Sequence, residues 1–183
     1  MAAEKLRALS EIDVTQPLPS DQLMAALTAP PFVYVPGTFN TRDIGLVPTT
    51  SGATPAIRPG FVYRSGALNQ LSADGKAVLQ AKLGVKKVFD LRSVTEHQGQ
   101  PDPEIEGIEN IWTPSSEFDA IVNLQDFVDG EGEKGYEAMY MDVLKVYKGN
   151  FQRVLEHVRD QPDEPFLFHC TGGFSTPPLL DST

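Results

Sequence analysis

His169-Cys170-Thr171-Gly172-Gly173 follows directly on the apolar run Phe166-Leu167-Phe168. A cysteine at the carboxyl end of a buried strand, with two glycines close behind it, suits phosphoryl transfer to sulfur. In that chemistry the thiolate is the nucleophile, and the N–H groups of a tight loop leading to a helix N-terminus cradle the phosphate oxygens. Gly172 and Gly173 would let the backbone approach such an anion closely. The reaction also asks for an arginine to grip the oxygens bidentately as charge builds on them. Taken alone, the five residues leave a second reading open, in which Cys170 is a small apolar side chain buried at a strand end.

The elements that would position this loop alternate in kind along the chain. Ser20 stands as an N-cap before "DQLMAALTA", a short helix halted by Pro30-Pro31, and "FVYV" (32–35) reads as a strand. A Gly-, Pro- and Thr-rich stretch with Asn40, Arg42 and Asp43 reads as loop, and "FVYRSG" (61–66) as a second strand. Ser72 caps a helix that Gly84 closes, and "VKKVFDLRS" (85–93) follows as a strand with Asp90 and Arg92 at its carboxyl end. "IENIWTP" (108–114) and "FLFH" (166–169) complete the strands. Between them, residues 135–161 carry apolar side chains at helical spacing, in one helix bent or split near Gly149-Asn150. Tyr136, Tyr140 and Tyr147 in that stripe are expected in the core. Helices feeding short apolar strands predict an α/β fold with a mainly parallel central sheet flanked by helices. Ligands in such folds bind outside the carboxyl ends of the strands.

The chain has 183 residues, a formal net charge of −10 and a single cysteine. Pro101 to Gly135 holds ten acids against Lys134, a balance of −9, so the rest of the chain carries about −1. That segment is expected to be a solvated loop. The charge balance excludes nucleic-acid binding through a general basic face, but leaves room for a local anion pocket built from amides and one or two arginines. One cysteine rules out an internal disulfide. With no leader-like apolar run near the N-terminus and no stretch long enough for a membrane span, a cytoplasmic location is expected. His97, His157 and His169 show no ligand spacing, so no metal or other cofactor is expected.

Four blocks occur in order: "FNTRDIG" (39–45), "RPGFVYRSGAL" (58–68), "LGVKKVFDLRS" (83–93) with Glu96 after it, and "FLFHCTGG" (166–173). Together they resemble the tyrosine-phosphatase group of bacteria and fungi, whose pattern runs F-N-x-R-D-x-G, R-S-G, D-L-R-S with a downstream Glu, and H-C-x-x-G-K-D-R-T-G. The resemblance spans residues 39–173. It implies a phosphomonoester hydrolase in which Cys170 is the nucleophile and forms a phosphocysteine intermediate. Thr171, Gly172 and Gly173 would donate backbone amides to the phosphate, and His169 would orient the loop and favour the thiolate. Arg42, Asp43, Asp90 and Arg92 match the family's polar clusters around the pocket, and for Arg42 and Asp43 a loop-bracing role is an equal alternative. The implied substrate is a phosphorylated protein, above all one carrying phosphotyrosine, or a phosphoinositide.

The pattern breaks after Gly173, where the family reads K-D-R-T-G and enters a helix. This chain reads Phe174-Ser175-Thr176-Pro177-Pro178, with Thr176 at the arginine's place and Ser175 at an acid's. Two prolines oppose continuation of a helix there. The sequence therefore predicts a helical extension over 1–30, an incomplete tyrosine-phosphatase-like domain over 31–173 without its C-terminal helices, and an unrelated tail over 174–183. It also predicts weak catalysis, the alternatives being a catalytically dead fragment or a non-catalytic phosphate-binding module.

Overall fold

The computed structural model describes residues 12, 16, 19–47, 57–115, 123–128, 130 and 132–172. Gly173, the stretch 174–183 and most of the first eighteen residues lie outside them, so the expected tail and much of the expected N-terminal extension are not described. The chain forms a five-stranded sheet in the order β1-β2-β5-β3-β4. Its strands are β1 (Arg42–Asp43), β2 (Val62–Ser65), β3 (Lys87–Asp90), β4 (Glu109–Trp112) and β5 (Phe166–His169). β1 is antiparallel to β2, and the other three pairings are parallel. The α/β class and the mainly parallel sheet expected from the sequence are what the chain adopts.

Alternation along the strands divides the core. Leu167 and Val88 point into a cluster with Tyr63, Leu68, Leu71, Leu79 and Val85, whereas Phe166, Phe89 and Val62 point to the other face. On that second face Phe61 and Phe89 each meet Phe166 edge-to-face at 5.5 Å. α5 (Lys148–Asp160) packs there through Val154, and its His157 ring lies 5.0 Å from Phe166.

The first face is covered by α2 (Ala73–Ala77), which widens into a π-helical turn over Val78–Lys82 where the Leu83 N–H reaches the Val78 carbonyl at 2.9 Å. Ser72 caps α2 by accepting from the Gly75 N–H at 3.1 Å, and Gly84 closes the unit in the left-handed region at φ +66°. Both roles are those expected of these residues. Gly75 also carries an unexpected constraint, because a Cβ there would lie 2.1 Å from the Pro36 carbonyl oxygen. Alanine ordinarily stabilises a helix by about 1 kcal/mol over glycine. Here Gly75→Ala must push backbone from backbone, and it is expected to destabilise by about 1–3 kcal/mol. A urea midpoint that rises in this variant would refute the seating of residue 36 on α2.

Several expectations are corrected. α1 spans Ser20–Leu27 with Pro19, not Ser20, at the cap position, because the Pro19 carbonyl already accepts the Leu23 N–H. Residues 32–35 do not form a strand of the sheet. Phe32 makes one antiparallel bridge with Arg42, and the hydrogen-bonding role passes to Arg42–Asp43, read as loop from its polar composition. The strand expected over 85–93 is confined to Lys87–Asp90, since Val85 N–H turns back to Leu79 and Ser93 caps a helix, α3 (Val94–Gly99). The long helix breaks at Tyr147, two residues before the expected point, giving α4 (Glu133–Val146) and α5. Tyr136 and Tyr140 are not core residues: they are 52% and 46% exposed, because α4 buries only Gly135 and Met139. Among the described residues no helix is long and apolar enough to cross a membrane.

Candidate active site

Parallel register brings one residue from each of four strands into a row at the carboxyl edge of the sheet: Ser65, His169, Asp90 and Trp112. Three of them are polar and buried, with Ser65 and His169 fully enclosed. Burying polar groups is costly unless each finds a partner, and here the partners are named. The Ser65 hydroxyl lies 2.9 Å from that of Thr41. Asp90 meets Arg92, which is 2% exposed. The guanidinium donates from Nε to Asp90 Oδ1 at 2.9 Å and from Nη2 to Asp90 Oδ2 at 2.8 Å. It also donates from Nη2 to Asp102 Oδ1 at 2.9 Å and from Nη1 to the Gln100 carbonyl at 2.7 Å.

Asp102 then faces His169, with Oδ2 2.7 Å from Nε2, while His169 Nδ1 lies 3.3 Å from the carbonyl of Cys170. On the other flank His97 Nδ1 lies 2.7 Å from Asp90 Oδ2, and its ring stacks on Trp112 at 4.0 Å with the planes 3° apart. Burial pushes the Asp90 carboxyl up, but hydrogen bonds from Arg92 and the nearby His169 outweigh it and hold the group below the ordinary carboxylate range. Burial likewise opposes the Arg92 charge, and the carboxylates reverse that effect.

Cys170 is half-buried just beyond β5. The Thr171 that follows is tied down twice: its carbonyl accepts from the Ala67 N–H at 3.0 Å, and its hydroxyl donates to the carboxylate of Glu96. Glu96 is itself fixed by a capping box with Ser93 at the start of α3. The loop is thus held from β2's exit and from α3 at once.

Of the residues expected from sequence, His169, Asp90 and Arg92 form one hydrogen-bonded group next to Cys170 and Thr171, and Gly172 follows. Gly173 lies outside the described residues. Arg42 and Asp43 sit on β1, separated from β5 by β2. Asp43 is buried and accepts from the Gly45 N–H at 2.9 Å and the Gly60 N–H at 2.7 Å, which ties these two glycines together. Arg42 stands opposite Arg64, and burial followed by that like charge lowers its pKa. Ahead of β1, Asn40 adopts φ 56°, and the Phe39 ring fills the space where Gly66 lacks a Cβ.

Asp102 was not singled out from the sequence; it lies in the acidic segment expected to be solvated, yet its side chain is 4% exposed. Glu96 and His97 also belong to the site's support, and the Ser93-x-x-Glu96 spacing is the local signal that marks α3. Asp90, Asp102 and His169 offer ligand atoms within 4.8 Å of one another, a spacing a metal ion can use. The Arg92 guanidinium already lies against both carboxylates and supplies the positive charge there, so the cluster does not fit a metal.

A mainly parallel sheet with a half-buried cysteine at its carboxyl edge, on a loop pinned from two sides, defines a cysteine-loop α/β protein. The model of the tyrosine phosphatase family matches residues 33–173, most of the chain, and the chain belongs to that family. It is also 40% identical over 62 residues to the triple specificity protein phosphatase PtpB of Mycobacterium tuberculosis (strain ATCC 25618 / H37Rv), a match covering 34% of this chain and 20% of that protein's length.

Proposed function

We propose that the chain is a cysteine-dependent phosphomonoester hydrolase acting on phosphorylated protein, phosphotyrosine first, with phosphoinositide as the alternative substrate. The observation that supports it best is the placement of Cys170 beyond β5, with Thr171 pinned by Ala67 and Glu96 and His169 pinned behind it. The protein phosphatase named among its relatives supports the substrate class.

In the reaction the Cys170 thiolate forms an S–P bond as the ester P–O bond breaks, and the leaving oxygen takes a proton from water. Water then attacks phosphorus, the S–P bond breaks, and inorganic phosphate leaves with the thiolate restored. The amides of Thr171, Gly172 and Gly173 hold the non-bridging oxygens. Asp90 and Arg92 serve the loop through His169, and Asp43 braces Gly45 against Gly60. Thr176 offers no guanidinium where the family pattern carries one, so turnover is slow. Losing one such donor costs on the order of 10²–10³ in rate.

The test is hydrolysis of p-nitrophenyl phosphate by the wild type and by Cys170→Ser. Slow hydrolysis that vanadate inhibits and Cys170→Ser abolishes is the expected result. Equal rates in the two proteins would overturn the proposal. Phosphate binding without turnover would favour the non-catalytic reading, against which the threonine at position 176 counts, since tight anion binding needs the arginine too.

A further inference from the structure

Arg42 on β1 and Arg64 on β2 are direct cross-strand partners in the antiparallel pair. Like charges so placed destabilise a sheet. Burial, followed by the charge of Arg64, pulls Arg42 below its ordinary value. The neighbouring acid does not answer the pair: Asp43 stands opposite Tyr63, and its two oxygens take the amides of Gly45 and Gly60. Among the described residues Arg64 makes no ion pair and no side-chain hydrogen bond. Two cations kept face to face break a local rule, and such breaks gather at functional sites.

The pleat sets where the pair stands. Val62 and Phe168 belong to one face of the sheet, Tyr63 and Leu167 to the other. Arg64 comes two residues after Val62 and is in register with Phe168, so it shares their face. The next position on that face of β5 is Cys170, and on β2 it is Gly66. The strands stay side by side beyond their last register pair, since the Ala67 N–H donates to the Thr171 carbonyl at 3.0 Å. With about 3.3 Å of rise per residue and about 4.8 Å between strands, the Cα atoms of Arg64 and Cys170 lie about 8 Å apart. The half-exposed Phe39 ring lies against Gly66 and borders the same edge with an aromatic surface.

We propose that Arg42 and Arg64 form a second anion subsite, which takes a second phosphate of the substrate while the first sits at Cys170. The inference rests on the reading of the cysteine loop as the seat of the scissile phosphate. Each guanidinium can offer paired N–H donors to one phosphate, and the anion offsets the repulsion between them. The substrate class this selects is a peptide phosphorylated at two tyrosines two residues apart. In an extended peptide such side chains leave one face about 7 Å apart, close to the spacing of the two subsites. The formal net charge of −10 opposes approach to an anionic lipid surface, and Phe39 offers an apolar face to an aromatic ring.

The test is calorimetric titration of the whole chain as Cys170→Ser, which stops turnover at that sulfur. One peptide carries two phosphotyrosines two residues apart, and the other carries a single one. The doubly phosphorylated peptide is expected to bind about tenfold tighter. Arg64→Gln in the same background is expected to bring that ratio to about one, and Arg64→Lys to keep part of it. The urea midpoint of Arg64→Gln is expected to match or exceed its parent's, because repulsion is removed. A ratio near one in the parent overturns the proposal, as does a ratio that survives Arg64→Gln. A lower midpoint with the ratio intact marks a bracing role and overturns it too. Equal peptide binding beside Arg64-dependent binding to vesicles of phosphatidylcholine and phosphatidylinositol bisphosphate overturns the peptide as the occupant. If Arg64→Gln does not fold, ¹⁵N spectra of the wild-type arginine Nε groups decide: the doubly phosphorylated peptide must shift Arg42 and Arg64, and unmoved signals overturn the proposal.

Parallel assays on p-nitrophenyl phosphate, which carries one phosphate, separate the two readings. Hydrolysis that Cys170→Ser abolishes, with no peptide preference, removes the second subsite and keeps the phosphatase. An Arg64-dependent preference without hydrolysis does the reverse.

Discussion

Arg92→Met is expected to destabilise the folded chain by about 3–5 kcal/mol at neutral pH, the usual cost of leaving buried charges without their partner. Small domains have about 5–15 kcal/mol in all, so this one substitution threatens folding itself. The reason is the number of groups that depend on one guanidinium. Asp90 and Asp102 both receive it, and the Gln100 carbonyl, next to Pro101 on the path to Asp102, does too. Without it two carboxylates remain in a site where burial raises the carboxyl of Asp90, with His97 and the nearby His169 left to oppose it.

The pH dependence has a definite sign. In the wild type the folded Asp90 carboxyl lies below its unfolded value of about 3.9. Its contribution is therefore fully present above that value and is lost as pH falls through the lower folded one. In Arg92→Met the strongest opposition to burial is gone and the carboxyl rises, so acidification relieves the unpaired charge. The gap between the two proteins in urea midpoint should be widest near neutral pH and should narrow toward about pH 4. A gap below about 1 kcal/mol, the scale of an exposed ion pair, would show that the pairs at Arg92 do not hold the site together.

The same network explains what the sequence could and could not reveal. Local signals carried far: Ser72 and Gly84 bound the α2 unit, and the apolar cores of β2, β3, β4 and β5 all lie within their expected runs. Each of those decisions is made by residues a few positions apart. Phe32 to Val35 has strand-like composition, yet Asp43 forms the strand because its side chain is satisfied by the amides of Gly45 and Gly60, the latter seventeen residues away. Tyr136 and Tyr140 keep helical spacing, but spacing alone does not say which stripe meets the sheet, and α4 turns Met139 inward instead. Asp102 is the extreme case. Nothing near it distinguishes it from the acids on either side, and its partners, Arg92 ten residues before and His169 sixty-seven residues after, come together only when β3 and β5 pair. The cysteine loop stands out as a candidate because its residues are consecutive, whereas the support around it is assembled by topology.

That division makes the residues after Gly173 the place to test catalysis directly. Replacing Phe174 through Pro178 by Lys-Asp-Arg-Thr-Gly is expected to raise the turnover of p-nitrophenyl phosphate by at least about 10²–10³. The guanidinium at position 176 can hold two phosphoryl oxygens as negative charge builds on them, which threonine cannot do. Arginines that act on transferring phosphoryl groups are worth about 10³–10⁵ elsewhere, so the lower figure allows for imperfect placement. The gain should appear in kcat more than in KM, since the interaction strengthens as the transition state forms. Arg42 and Arg64 provide the control. Arg42 stands on β1 and Arg64 opposite it on β2, the neighbour of β5, and if either served as the phosphate-holding cation, the added arginine would change little. A gain below about tenfold, in a variant that melts as the parent does, would mean that the loop over 169–172 is not shaped for phosphoryl transfer. A large gain lost again on adding Cys170→Ser would place the chemistry at that sulfur.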